Sequence, residues 1–314
     1  MAVAASEASG YQRLGAGAPR KFPSQTRSSE ASLDRVSTAR IHRDVKANGV
    51  RLRVAETGDG PSLVLLHGLF MDHTTWDPMS EELGKQYRVV APDLPGFGQS
   101  EKPPESRFPY GINAFADAVV DLYAGLELGR AIMVGHALGG AVAITLAARH
   151  PELISRLVLI DALCYSAPLD LASRVALAPL IGGFAFKQLW GKSAFKAYFK
   201  ESYLSRDARI PSARLDGYYE SFNTPAARAS ALSTLRATRD TRAVVAHIAR
   251  ISTPTLVIWG SEDTLYPAAL GQRMSREIPH AGFHLVGAGH APHEEQPAEV
   301  VEAILRFCAS PRSR

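Results

Sequence analysis

The sequence predicts an α/β protein, a mostly parallel, doubly wound sheet of the eight-stranded type with an inserted helical cap. Three observations predict it. Short apolar runs of strand length alternate with helix-length stretches, the pattern of a parallel sheet covered on both faces. A strand, a glycine-rich turn and a small-residue helix follow one another over residues 131–149. The alternation is interrupted once, between about residues 163 and 248, by a stretch that reads as helix alone.

The 314 residues are too many for one average domain and suit an α/β core with one inserted subdomain. Residues 1–38 are rich in Ala, Ser, Gly and Arg and have no apolar periodicity. They cannot offset their ordering entropy by burial and read as a disordered extension. The core is assigned to 39–162 and 249–310, and the cap to 163–248. It opens with a hairpin, 41–46 and 50–55, around Ala47-Asn48-Gly49. Strand 62–66, Ser-Leu-Val-Leu-Leu, is apolar on both faces, as a central parallel strand should be. Helix 75–85, strand 88–91, a glycine-rich loop at 93–100 and helix 112–126 follow. Strand 131–134 then runs through 135–140 into helix 141–149, and strand 157–160 ends the first half. The cap reads as helices broken at Pro179, Gly182-Gly183, Gly191, Pro211 and Pro225. The core resumes with strand 255–259, helix 268–278, strand 282–286 and helix 297–308. There is no internal repeat.

Composition narrows the function classes. The formal net charge is +4, and residues 1–43 alone, with seven Arg/Lys against three acids, account for the whole excess. The basic balance therefore describes an arm, and nucleic acid is a poor candidate partner. No apolar run approaches the ~20 residues of a spanning helix, so membrane insertion is not expected. Two cysteines, Cys164 and Cys308, make no disulfide framework and suit a reducing, cytoplasmic compartment. The Arg- and Ser-rich arm leaves organelle targeting as the alternative, while the lack of an apolar h-region argues against a secretory signal.

The turn at 135–140, Gly135-His136-Ala137-Leu138-Gly139-Gly140, has the context of a nucleophile elbow: Gly135 and Gly139 let the strand turn sharply into a helix and expose the residue between them. Three further segments sit in order around it: His67-Gly68-Leu69-Phe70, the loop 93–100, and the pair Gly260-Ser261-Glu262-Asp263 with Gly289-His290-Ala291-Pro292. By these four segments the chain, over about residues 41–310, resembles the capped α/β-hydrolases. That superfamily includes esterases, lipases, carbon-carbon hydrolases, dehalogenases and epoxide hydrolases.

The resemblance implies a Ser-His-Asp mechanism with Ala137 at the nucleophile position, His290 as general base and Asp263 as the carboxylate that orients it. Asp161, at the end of the preceding strand, is the alternative acid. The oxyanion hole would come from the backbone amides of Leu69 and Leu138. His67 and His136, with Gly68, read as supports that fix these loops. An alanine has no hydroxyl to deprotonate, so acyl-enzyme formation is impossible at this position. The dehalogenase and epoxide-hydrolase branches fail too, because they need a carboxylate there.

Three readings follow. The chain is an ester-type hydrolase of a mostly apolar small molecule whose serine has been replaced, as in a variant engineered to trap a ligand. Alternatively the alanine is native and the His290/Asp263 dyad acts as a base in a lyase, cyclase or cofactor-free oxygenase. The third reading is a non-catalytic ligand-binding module. No cofactor is required. His293 and Glu294 beside His290 do not complete a metal site, because no third ligand is suitably spaced. Cys164 reads as a half-buried thiol rather than a substitute nucleophile. The ten aromatic residues from Phe184 to Phe222 are enough for a mostly apolar pocket over the site, most of them expected in the core of the cap itself and a few facing the ligand. Oligomeric state is left open.

Overall fold

A computed structural model describes residues 40–165 and 191–310. The hairpin forms from β1 (Ile41–Ala47) and β2 (Val50–Thr57), closed by Asn48 and Gly49 at φ 47° and 72°. Two successive positive φ values are what a two-residue turn matched to strand twist requires, and Asn-Gly supplies them cheaply. The remaining strands are β3 (Ser62–Leu66), β4 (Arg88–Pro92), β5 (Ala131–His136), β6 (Ile154–Ile160), β7 (Thr255–Gly260) and β8 (Gly282–Val286). They form one eight-stranded sheet in the order β1-β2-β4-β3-β5-β6-β7-β8, parallel except where β2 pairs with β1 and β4.

Because side chains alternate across a strand, β3 sends Leu63 and Leu65 to one face and Val64 and Leu66 to the other. On the first face they meet Met79 and Leu83 of α1 (Asp77–Gly84) and Val300 and Ile304 of α10 (Pro297–Ala309). On the second they meet α2 (Ile112–Leu126) and α3 (Leu138–Arg149), while α8 (Ala268–Glu277) places Met274 in the same layer. Four helices are described between β6 and β7: α4 (Lys192–Ser202), α5 (Ser212–Phe222), α6 (Pro225–Ala237) and α7 (Arg242–Ile248). Gly191, Pro211 and Pro225 sit at helix starts. Pro179, Gly182-Gly183, Phe184, Phe186, Trp190 and the arm up to residue 39 lie outside the described residues. A short helix, α9 (Pro292–Glu295), precedes α10.

Several boundaries differ from the sequence reading. β5 runs two residues further, pairing Gly135 and His136 with Leu159 and Ile160, and α3 starts at Leu138 rather than at 141. The helix expected over 75–85 opens as a 3₁₀ turn, His73–Trp76, in which the Asp72 carboxylate accepts from the Thr74 amide before α1 begins. Two residues counted in the basic arm belong to the body: Arg40 pairs with Asp77 and Arg43 with Glu56, both at 2.5 Å. Among the described residues, no helix is long and apolar enough to cross a membrane.

Candidate active site

Every segment singled out in the sequence lies at the carboxyl end of a parallel strand: His67 after β3, Ala137 after β5, Asp161 after β6, Asp263 after β7 and His290 after β8. In doubly wound sheets this is the edge where ligands bind, at the point where strand order reverses. Here the reversal lies at β3 and β5.

Ala137 has φ 46° and ψ −109°. A non-glycine residue there carries about 1–3 kcal/mol of strain and persists only where its surroundings enforce it. The surroundings do. Its amide donates to the Ile160 carbonyl at 3.1 Å, its carbonyl accepts from the Leu163 and Ala141 amides, and the Gly139 amide donates to the His67 carbonyl at 3.2 Å. A Cβ on Gly135 would sit 2.4 Å from the Gly139 carbonyl oxygen, and one on Gly139 would sit 2.2 Å from that of Leu66. The Ala137 methyl lies 3.2 Å from where a Gly68 Cβ would stand, so it faces the His67-Gly68-Leu69 loop. Leu138 opens α3, and its amide is one of those a helix start leaves without an intrahelical acceptor.

His290 and Asp263 are brought together. The imidazole donates Nδ1–H to Asp263 Oδ2 at 2.8 Å, while Asp263 Oδ1 accepts the amides of Leu265 at 2.8 Å and Tyr266 at 2.9 Å. This assigns the tautomer and leaves Nε2 as the basic nitrogen. The His290 carbonyl accepts Nε2–H of His136 at 2.7 Å, and the two rings are 5.0 Å apart. His136 thereby couples the elbow to the His290 loop. Burial, and after it the neighbouring His293 and His290 imidazoles, holds His136 well below the ordinary imidazole range, so it is neutral. His67 donates Nδ1–H to the Gly68 carbonyl and accepts the Leu94 amide on Nε2 at 2.9 Å; burial keeps it neutral as well.

Asp161 stands beside this pair. It is fully buried at the end of β6, at φ 42°, and its Oδ1 accepts the Gly260 amide at 3.0 Å. One donor atom each from Asp161, Asp263 and His290 falls within 4.8 Å of the others. Burial first, and Asp263 second, pushes the Asp161 carboxyl well above the usual carboxylate range.

Three neighbours carry no signal in the sequence. Tyr203, just after α4, and Tyr266, after β7, set their rings edge-on to His290 at 5.0 and 5.2 Å. The Tyr203 hydroxyl also donates to the Leu69 carbonyl at 3.3 Å. Glu295 accepts the Gly289 amide at 2.9 Å and the Ser205 hydroxyl at 2.5 Å, joining the insertion to the His290 loop. Only tertiary approach marks these residues out. Tyr203 was one of ten aromatics, and Tyr266 and Glu295 belong to no motif.

His293 and Glu294 turn away from the His290 pair. His293 Nε2–H donates to Thr75 Oγ1 at 2.8 Å, and the Thr75 hydroxyl donates to Glu294 Oε1 at 2.6 Å. The Tyr218 hydroxyl of α5 donates to the same oxygen, and Arg214 Nε lies 3.9 Å from the other. Burial pushes the Glu294 carboxyl up to about 7 and His293 down to about 3. Cys164 is fully rather than half buried, and burial raises its thiol to about 12, leaving almost no thiolate at neutral pH.

Comparison with known proteins agrees with this architecture. The alpha/beta hydrolase family matches residues 63–303. An uncharacterized protein of Mycobacterium tuberculosis is 31% identical over 277 residues, spanning 83% of this chain and 79% of its own. The 2-hydroxymuconate semialdehyde hydrolase of Pseudomonas sp. strain CF600 is 30% identical over 275 residues, spanning 86% and 94%. Among solved structures, a hydrolase from Pseudomonas aeruginosa superposes with a TM-score of 0.71 at 27% identity, covering 86% of this chain and 98% of that one. The chain belongs to the alpha/beta hydrolase family.

Proposed function

We propose that the chain is a carboxylic-ester-type serine hydrolase of a mostly apolar small molecule, deprived of its nucleophile by alanine at position 137, with the helices between β6 and β7 as its cap. The observation that carries this reading is the backbone of Ala137. A strained turn aimed at the His67-Gly68-Leu69 loop and tied through His136 to the loop of an Asp–His pair serves a reactive side chain, and a methyl group makes no use of it. His290 takes the part of general base, Asp263 orients it, and the amides of Leu69 and Leu138 form the oxyanion hole. His67 and His136, with Gly68, Gly135 and Gly139, hold these parts in place. The Pseudomonas relative is named for a small-molecule substrate, and the reading takes the same size class for this chain.

With serine restored, its hydroxyl oxygen attacks the ester carbon while His290 Nε2 takes the hydroxyl proton, and the carbonyl oxygen collects the charge between the two amides. The imidazolium then protonates the departing alcohol, and water repeats the sequence on the acyl-enzyme. Ala137 offers neither lone pair nor proton, so the cycle cannot begin. The test is Ala137→Ser with short-chain activated esters: turnover is expected to rise about 10⁶-fold, with an acyl-enzyme visible by mass spectrometry. The intact His290–Asp263 bond keeps one second reading open, a base dyad acting without a covalent intermediate. An inert Ala137→Ser protein, together with a native reaction abolished by His290→Ala, selects that reading instead.

A further inference from the structure

Asp263 and Asp161 are both buried carboxyls beside one imidazole, yet their hydrogen-bond partners differ. Asp263 receives three N–H donors: His290 Nδ1, the Leu265 amide and the Tyr266 amide. Each of these groups can only donate, so the set favours an anion. Asp161 receives one donor, the Gly260 amide on Oδ1, and its Oδ2 is buried with no donor in reach among the described residues. What the Asp161 carboxyl does have nearby is the Asp263 carboxylate, one oxygen of each lying within 4.8 Å of the other. Two acceptors facing each other in a dry site repel unless a proton lies between them. Asp161 also sits at a positive φ, which Asp tolerates better than most residues and which accompanies the turn of its carboxyl toward β7.

We propose that Asp161 is a positioning residue of the His290–Asp263 pair: it stands as the neutral acid and donates its Oδ2 proton to the Asp263 carboxylate, so that one negative charge rather than two faces His290. The proton stays on Asp161 throughout and is not passed along. The hydrogen bond completes the coordination of Asp263 and spreads its charge, which tempers its pull on the imidazolium without weakening its hold on ring orientation. The raised carboxyl of Asp161 agrees with this assignment. The other ionisable groups around the cluster are accounted for. His136, its ring 5.0 Å from that of His290, and His293, its ring 4.5 Å from that of His136, are both held neutral by burial. Tyr203 and Tyr266 are held as phenols by burial. Glu295, raised by burial, bonds to Gly289 and Ser205 and adds its repulsion to whatever charge Asp161 would carry.

The role in catalysis rests on the hydrolase reading, but the protonation state does not, so the deciding experiment uses the chain as it stands. Carboxyl-¹³C aspartate labelling of the full chain should show one aspartate with the chemical shift of a neutral acid at pH 7. That resonance should vanish in Asp161→Asn and persist in Asp263→Asn. A spectrum in which every aspartate is anionic, or a neutral signal that survives Asp161→Asn or disappears in Asp263→Asn, overturns the proposal. Failure here leaves the esterase reading standing, and an inert Ala137→Ser protein leaves this result standing. In the Ala137→Ser background, Asp161→Asn keeps a donor toward Asp263 and should leave the pH–rate curve in place, whereas Asp161→Leu should cost roughly 10- to 100-fold in kcat, the worth of a hydrogen bond to a charged group. Displacement of the curve by Asp161→Asn to lower pH by a unit or more would show that an anion had been removed, and would equally overturn the proposal.

Discussion

On one side of the chain that carries His290, Asp263 lies buried against two backbone amides and an imidazole N–H; on the other, Glu294 lies equally buried against the hydroxyls of Thr75 and Tyr218. Both are buried, and it is their partners that differ. An amide or an Nδ1–H can only donate, so its bond is lost if the carboxylate takes a proton. A hydroxyl rotates and can donate to the anion or accept from the acid. The Asp263 side offers donors alone, and the Glu294 side, with its carboxyl pushed up to about 7 by burial, offers hydroxyls that can serve either state. Near the same histidine the fold has built one carboxyl site from fixed donors and one from hydroxyls that can reorient.

The largest test of this contrast is catalytic. In the Ala137→Ser background, Asp263→Asn should lose about 10⁴ in kcat by leaving the imidazole in the wrong tautomer, while Glu294→Gln should stay within about tenfold. Turnover of one short-chain ester by the two variants measures this, and comparable losses would erase the distinction.

The next is thermodynamic. Glu294 binds its proton more tightly folded than unfolded, so its contribution to stability is present in full below the ordinary carboxylate range and is lost as pH rises to about 7. Between pH 5 and pH 8 the parent should lose roughly 2 kcal/mol more than Glu294→Gln, seen as a melting-midpoint difference of roughly 5 °C. Parallel midpoint-against-pH curves for the two proteins would show that Glu294 does not titrate there. The smallest effect is expected from Tyr218→Phe, about 1 kcal/mol by urea denaturation, since Thr75 remains to donate to the same oxygen.

How far this was legible in the sequence follows from how local each signal is. The apolar run 62–66 and the Asn48-Gly49 turn declare themselves within a few residues, and they form as read. The elbow was legible as a motif, but its helix start was not, because Gly139 and Gly140 are poor helix formers that only the packing against Leu66 and Ala162 explains. Asp263 and His290 were named from motif order, and the structure sets them 2.8 Å apart. The relation of Asp161 to Asp263 was not visible, because it depends on β6 and β7 lying side by side after the whole insertion intervenes. Reading Asp161 as a rival to Asp263 treated as alternatives two residues that the sheet makes neighbours. Arg40 and Arg43 were assigned to the arm for a similar reason, since their acids, Asp77 and Glu56, are close only in space.

Gly289 has a mechanical consequence. Where the His290 loop passes the turn that follows α4, a Cβ on Gly289 would lie 2.6 Å from the carbonyl carbon of Leu204 and from the Ser205 nitrogen, so backbone bears directly on backbone. Side chains at a joint act as cushions, because a change of rotamer can absorb a small displacement. At Gly289 itself there is none, and the Glu295 side chain ties the two segments together by accepting from the Gly289 and Ser205 amides. The segment 203–205 and the loop that carries His290 are thus held in one register by backbone contact and by Glu295.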